Sequence, residues 1–261
     1  MFATDFLFDS QRLSDFGCMI CSFDGEPEPA SGGEIEFNVV KSPNKDRFLF
    51  YGAQFNTVLT WNFSICKNVC SNNDMHFDQY EESMLAKWLL KTDGYKPFQF
   101  DQEGWEDIYY NVYINMKPRQ VGGRTIGYDL TVTSDCGYGY SNEITKIATI
   151  NSSTPLKFNV NNDLNTVIYP HIQIKGSGDF YISNNSDLMQ NIGNDKASEF
   201  ANISGTITMD SENDVILGIP TPNDFNWYFI RLIDGQNIIA TNSKLNLELE
   251  IKYRESRRII I

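Results

Sequence analysis

Apolar and polar residues alternate with a period of two along most of this chain. Ile108, Tyr110, Val112, Ile114 and Met116 alternate with Tyr109, Asn111, Tyr113, Asn115 and Lys117. After Val121-Gly122-Gly123-Arg124, Ile126, Tyr128, Leu130 and Val132 repeat the pattern. Residues two apart on a strand share a face, so this spacing predicts a hairpin with one buried side. Phe55, Leu59, Trp61, Phe63 and Ile65 predict one half-buried strand of about a dozen residues. Shorter strands are predicted at Phe6–Phe8, Gly17–Phe23, Glu34–Val40 and Phe48–Tyr51. The Asp24–Gly33 stretch is rich in turn formers and acid, which predicts an exposed loop.

One segment departs from that period. Tyr80, Met84, Leu85, Trp88 and Leu89 recur at helical spacing behind Asp78, a good N-cap, with Glu81 and Glu82 in the first turn where the helix dipole favours negative charge. They predict a helix with those five residues on its buried side. Asp93-Gly94 ends it, and Tyr95-Lys96-Pro97-Phe98 is read as a turn.

An Asn/Ser/Thr-rich turn at Asn151–Pro155 follows the motif-bearing first part, which places a boundary near residue 142. Residues 1–142 and 143–261 are therefore read as two β domains. Strands in the second are expected at Leu156–Val160, Ile172–Gly176, Asp179–Ser183, Ile203–Met209, Val215–Gly218, Trp227–Ile233, Asn237–Ala240 and Leu245–Tyr253. Their number and spacing predict a sandwich.

Charge narrows the function. With 21 basic and 34 acidic residues the net charge is -13, which disfavours nucleic-acid binding, because that affinity comes largely from Lys and Arg on phosphates. No apolar run approaches the roughly 20 residues of a membrane helix, so no membrane insertion is expected. The start carries no signal-peptide pattern, consistent with synthesis in the cytoplasm. Cys18 and Cys21 form a C-x-x-C, and Cys66 and Cys70 a C-x-x-x-C, but residues three apart on a strand point to opposite faces. The five cysteines are read as small buried hydrophobes, with neither metal nor other cofactor. His76 and His171 are too few and too far apart for a histidine metal site, and no nucleophile elbow is present. The acidic stretches Asp101–Asp107 and Asp210–Asp214 lack EF-hand spacing and read as solvated turns. The chain is not expected to be an enzyme. Trp227 and Tyr228, with Tyr181 and Trp105, could stack on sugar rings, against the commoner reading in which such aromatics fill cores or subunit interfaces.

Several runs together resemble the distal tail protein family of long-tailed bacteriophages. They are Lys87-Trp88-Leu89-Leu90, Gly94-Tyr95-Lys96-Pro97-Phe98, the Tyr-rich strand, Asp135-Cys136-Gly137-Tyr138-Gly139-Tyr140-Ser141, Asp15-Phe16-Gly17 and Phe229-Ile230-Arg231-Leu232-Ile233-Asp234-Gly235-Gln236-Asn237. The resemblance implies a mainly β protein: an N-terminal ring-forming β domain with one α-helix and a protruding hairpin, then a galectin-like or carbohydrate-module-like β-sandwich. It implies a homohexameric ring at the virion tail tip with DNA passing through its channel. The implied partners are the tail tube protein, the tail-associated hub protein and a receptor-binding or adhesion protein. The alternative is a carbohydrate-binding module that recognises host cell-wall glycan through Trp227 or Tyr228. Net charge suggests an acidic lumen along which DNA slides without sticking. The protruding hairpin maps best onto Glu34–Val40 and Arg47–Tyr51, whose alternation is too weak for core strands, with Asn44, Lys45, Asp46 and Arg47 near its tip. Deleting Lys41 to Arg47 is expected to leave a folded monomer that no longer forms rings; intact rings in electron microscopy or light scattering would refute that placement.

Overall fold

A computed structural model describes residues 3–23, 31–42, 46–68, 70, 74–164, 166–187 and 197–258. The chain forms two compact units, one ending at Tyr140 and the other spanning Ser141–Arg258. Family-independent patterning and structure agree on the class: the chain is mainly β with one α-helix.

The first unit contains β1 (Asp5–Phe8), β2 (Gln11–Arg12), β3 (Cys18–Cys21), β4 (Ile35–Lys41), β5 (Phe48–Phe55), β6 (Thr60–Lys67), helix α1 (Gln79–Leu89), β7 (Lys96–Asp101), β8 (Ile108–Val121) and β9 (Arg124–Ser134), and ends within β10 (Gly139–Ser141). Seven of these strands follow one another in the order β2-β1-β7-β8-β9-β6-β3, β10 joins the same sheet through β8, and among the described residues β4 and β5 pair with each other. The β1–β2 turn is built by Asp9 and Ser10, both at positive φ, the geometry that matches the twist of a tight hairpin. A 3-10 turn over Leu13–Phe16 precedes β3, and Gly17 at φ 66° ends it.

Helix α1 starts as its sequence requires. The Glu81 amide donates to Asp78 Oδ1 at 2.8 Å and the Asp78 amide to Glu81 Oε2 at 2.8 Å, a reciprocal capping box. Its buried stripe is narrower than the spacing implied: Leu85, Trp88 and Leu89 are buried, but Tyr80 is 73% and Met84 40% exposed. At about 100° per residue Met84 and Tyr80 lie about 100° and 140° round the helix from Leu85, beyond Trp88, so they fall outside the face that Leu85, Trp88 and Leu89 turn to the core.

Trp88 fixes the helix to that sheet. Its ring lies 4.4 Å from Phe16 and 5.7 Å from Phe6, both nearly parallel, with Phe8 edge-on at 6.1 Å. Its indole N–H donates to the Phe8 carbonyl at 2.9 Å. The aromatic packing continues through Phe98, Phe100, Trp61 and Tyr110.

Two segments here differ from expectation. The run from Phe55 to Ile65 is not one strand: Asn56–Leu59 leads out of β5 into β6, so Phe55 belongs to the separate pair of strands. Lys96–Asp101 is a strand, not a turn. Pro97 lacks an N–H but its carbonyl accepts from the Asp9 amide at 3.0 Å, while Phe98 and Phe100 enter the core.

The second unit holds β11 (Ile144–Ile150), β12 (Leu156–Val160), β13 (His171–Asn184), β14 (Ser198–Asp210), β15 (Val215–Leu217), β16 (Gly235–Thr241), β17 (Leu247–Tyr253) and β18 (Ser256–Arg257). The main sheet runs β11-β17-β13-β14-β15, and β16 pairs with the end of β13 and carries β12. Ile172, Ile174, Ile182, Ile207, Ile239, Leu249 and Ile251 form its core with Phe180, Phe200 and Phe225. Strand β11 was not anticipated from the sequence. The two strands expected from Ile172 to Ser183 are one, with a register shift between Gly178 and Phe180. The expected strand Trp227–Ile233 is irregular apart from the bridge between Leu232 and Ile168, because Trp227 takes a φ of 61° that no strand accommodates.

Replacing Trp88 by Ala is expected to cost about 3–5 kcal/mol of first-unit stability, from the lost ring stack and its cavity. Denaturant unfolding followed by near-ultraviolet dichroism measures this, and a loss below about 1 kcal/mol would show that α1 is held by something else.

Candidate assembly interface

Strands β4 and β5 form a two-stranded ribbon that, among the described residues, has no third strand. In antiparallel strands directly paired residues point to the same side. Ile35 pairs with Phe55, Phe37 with Ala53, Val39 with Phe50 and Lys41 with Phe48. One side of the ribbon therefore carries Ile35, Phe37, Val39, Phe48, Phe50, Ala53 and Phe55, with Lys41 at its far end beside Phe48, and the Phe37 and Phe50 rings lie 6.1 Å apart. The other side carries Glu36, Asn38, Val40, Leu49 and Gln54. Tyr51 is the extra residue where the register shifts.

This apolar side is exposed. Phe37 is 61%, Phe48 62% and Phe50 62% accessible, with Val39 also open. A two-stranded hairpin is marginal in water on its own, and contiguous exposed apolar surface marks an interaction site.

The root of the ribbon, in contrast, is tightly built. Ser31 and Thr60 exchange two backbone hydrogen bonds of 2.8 Å, the Asn56 amide donates to the Glu34 carbonyl at 2.9 Å, and the Glu34 amide to Thr57 Oγ1 at 3.0 Å. Phe55 packs 5.4 Å from the Tyr138 ring. A Cβ on Gly137 would sit 2.4 Å from Phe55 Cδ1, so the glycine in Asp135-Cys136-Gly137-Tyr138 makes room for the ribbon's last side chain. Gly32 is stricter still: its φ is 99° and a Cβ there would lie 1.9 Å from the Val58 carbonyl oxygen.

Of the tip residues singled out from sequence, Asp46 and Arg47 are exposed at the end of the ribbon where β5 begins, and Asn44 and Lys45 lie outside the described residues. Trp227 and Tyr228 lie in the second unit, away from any regular strand, at 53% and 45% exposure, so neither fills the core of its unit. The ribbon's apolar face was missed in favour of its polar tip. The signal was present in Ile35, Phe37 and Val39 on one strand and Phe48 and Phe50 on the other, which only cross-strand register joins into one face.

The other candidate groups do not converge. Cys18 is buried on one side of β3 and Cys21 lies on the other. Burial pushes the Cys18 and Cys136 thiols up to about 12 each, which keeps both protonated and weakly nucleophilic. Among the described residues no three His, Cys, Asp or Glu side chains gather as metal ligands. Asp101 pairs with Arg12 at 2.5 Å. Asp210 is held below the usual carboxylate range, first by the Asn213 side-chain amide at 2.8 Å, and simply closes its own turn. No helix among the described residues is long and apolar enough to cross a membrane.

Residues 1–136 match a family model described as the phage tail protein N-terminal domain, and residues 138–253 one described as the phage tail C-terminal domain. The chain belongs to the phage tail protein family. The tail protein is also similar in structure to the Dit protein (gp 19.1) of phage SPP1, described as a paradigm of the hub adsorption apparatus in phages infecting Gram-positive bacteria. That likeness has a TM-score of 0.61 at 11% identity and covers 97% of this chain and 99% of the SPP1 chain, so it establishes a shared distal tail protein fold. No protein of curated function matches the chain in sequence.

Gly32→Ala is expected to force the root of the ribbon apart at a cost of about 1–3 kcal/mol of local strain. Limited proteolysis should then cut between residues 31 and 58 faster than in the parent while the remaining core stays resistant; equal cleavage would mean that the root tolerates the change.

Proposed function

We propose that this phage tail protein is a ring-forming connector at the distal end of the tail, in which the β4–β5 ribbon of each copy lays its apolar side on the body of the next. The observation that carries this reading is the uncovered row of Phe37, Val39, Phe48 and Phe50 on a ribbon rooted by two-way hydrogen bonds. An arm that meets a different patch on its neighbour is a head-to-tail contact, and such contacts close into rings when the rotation allows. Six copies are proposed, with residues 1–142 forming the ring and residues 143–261 a separate sandwich. The tube protein would stack on one side of the ring and the hub protein on the other, with an adhesion or receptor-binding protein beyond. In this reading the protein is made in the host cytoplasm, resides at the virion tail tip, and works by mating surfaces without catalysis. The net charge of -13 suits a channel wall that repels phosphate and lets DNA pass.

Phe37→Ser combined with Phe50→Ser tests it. Both side chains are mostly in water in the single chain, so the monomer's melting temperature should hold. Each contact between copies should weaken by ~3 kcal/mol or more, upwards of a hundredfold. Mass photometry across concentrations should show rings for the parent and monomers for the variant; rings of equal stability would overturn the proposal.

A further inference from the structure

Cys18 and Cys21 are split across β3, but the strand register brings a different set of sulfurs together. Met19 pairs with Cys66 and Cys21 with Ser64. Directly paired residues share a side, and so do residues two apart on one strand. Met19, Cys21, Ser64 and Cys66 therefore lie on one face, while Cys18 and Ile20 are buried on the other. Cys66 is buried, and Met19 and Cys21 are half-buried. The Cys21 thiol is held above its ordinary pKa, first by burial and then by a hydrogen bond shared with the Cys66 thiol.

The spacing decides what these sulfurs can do. Cys21 and Cys66 are diagonal partners, whose Cα atoms in an antiparallel pair are ~7–8 Å apart. A disulfide spans about 4.4–6.8 Å, so the backbone holds the two thiols too far apart to bond to each other. An ion that makes bonds of about 2.3 Å to each sulfur bridges the gap. The oxygen donors beside them are already committed: Ser64 Oγ donates to Asp129 Oδ1 at 2.6 Å, and Arg119 Nε donates to both Asp129 oxygens at 2.8 Å. Zinc takes four ligands and would be one short, whereas soft thiolate and thioether ligands select copper(I). The face is also shielded from water. Gly127 pairs with Cys66, and a Cβ on it would lie 2.6 Å from Phe23 Cζ, so the Phe23 ring rests beside the thiol. The Arg119 guanidinium, 5.5 Å from that ring, acts on Cys21 as a nearby positive charge.

We propose that Met19, Cys21 and Cys66 form a three-coordinate sulfur site for copper(I). The ion displaces one proton from each thiol to solvent, the two thiolates and the Met19 thioether coordinate it, and no electron is transferred. The loaded site carries one negative charge, which the Arg119 guanidinium offsets. Strand β3 ends the sheet order and pairs with β6, so an ion held across the two ties an edge strand to its neighbour. The proposal does not depend on ring formation by the ribbon.

The full-length protein, kept reduced and anaerobic, is titrated with copper(I) against the chelator bathocuproine disulfonate. One ion per chain should be withheld from the chelator, and the melting temperature should rise with it, because a ligand that binds the folded state stabilises that state. Met19→Leu should weaken retention about tenfold and Cys21→Ser about a hundredfold, since even groups behind a metal's own ligands change affinity by roughly 10–100-fold. Both side chains are half-buried, so both variants should melt close to the parent when copper is left out. Cys70→Ser, at an exposed position, should bind as the parent does. No retention by the parent, unchanged retention in either Met19→Leu or Cys21→Ser, or one ion shared by two chains would overturn the proposal. So would zinc(II) held as firmly as copper(I), which would mean a four-ligand site, or a Cys21–Cys66 disulfide formed completely in air, which would mean sulfurs close enough to bond.

Discussion

Among the described residues the two strands of the ribbon pair as a sheet of their own, and a two-stranded ribbon has no second layer to bury an apolar side against. The β4–β5 ribbon carries Phe37, Val39, Phe48 and Phe50 into water on a root fixed by the Ser31–Thr60 bond pair and by the fit of Phe55 over Gly137. Burying such side chains is worth roughly 1.5–3 kcal/mol each. A chain that keeps them exposed stores association energy that only another surface can release. The remainder of the first unit can be understood as what makes this arm a fixed projection. The β6 strand that follows it lies in the sheet, and that sheet is held to α1 by Trp88 and its stacked phenylalanines.

The second unit solves a different problem. Its core combines isoleucines and leucines with a line of phenylalanines, but the segment between Phe225 and Leu232 is neither helix nor strand. Asn226, Ser198 and the line of phenylalanines hold that segment at an energy it would not choose alone, and the result is two aromatic rings presented on an ordered loop.

Much of this was legible in the sequence wherever one rule acted alone. The Asp78–Glu81 capping box, the β8–β9 hairpin and β12 at Leu156–Val160 follow from caps and period-two alternation. Reading failed where two rules competed. Pro97 suggests a turn, yet it fits a strand whose carbonyl side is paired. Trp227–Ile233 looks like a strand by composition, but the backbone at Trp227 is left-handed. Tyr80 and Met84 share helical spacing with Leu85 and Leu89 without sharing their face. The ribbon's apolar side was the hardest to see, because only the cross-strand register joins the residues of its two strands into one face.

Hydrogen exchange of the ribbon amides, measured on dilute monomer and on the assembled particle, tests the central claim most directly. If the apolar side of residues 35–41 and 48–55 is covered by a neighbouring copy, those amides should be among the most strongly protected on assembly, with the β8–β9 amides changing little. An assembled ring in which the ribbon exchanges as fast as in the monomer would contradict the account.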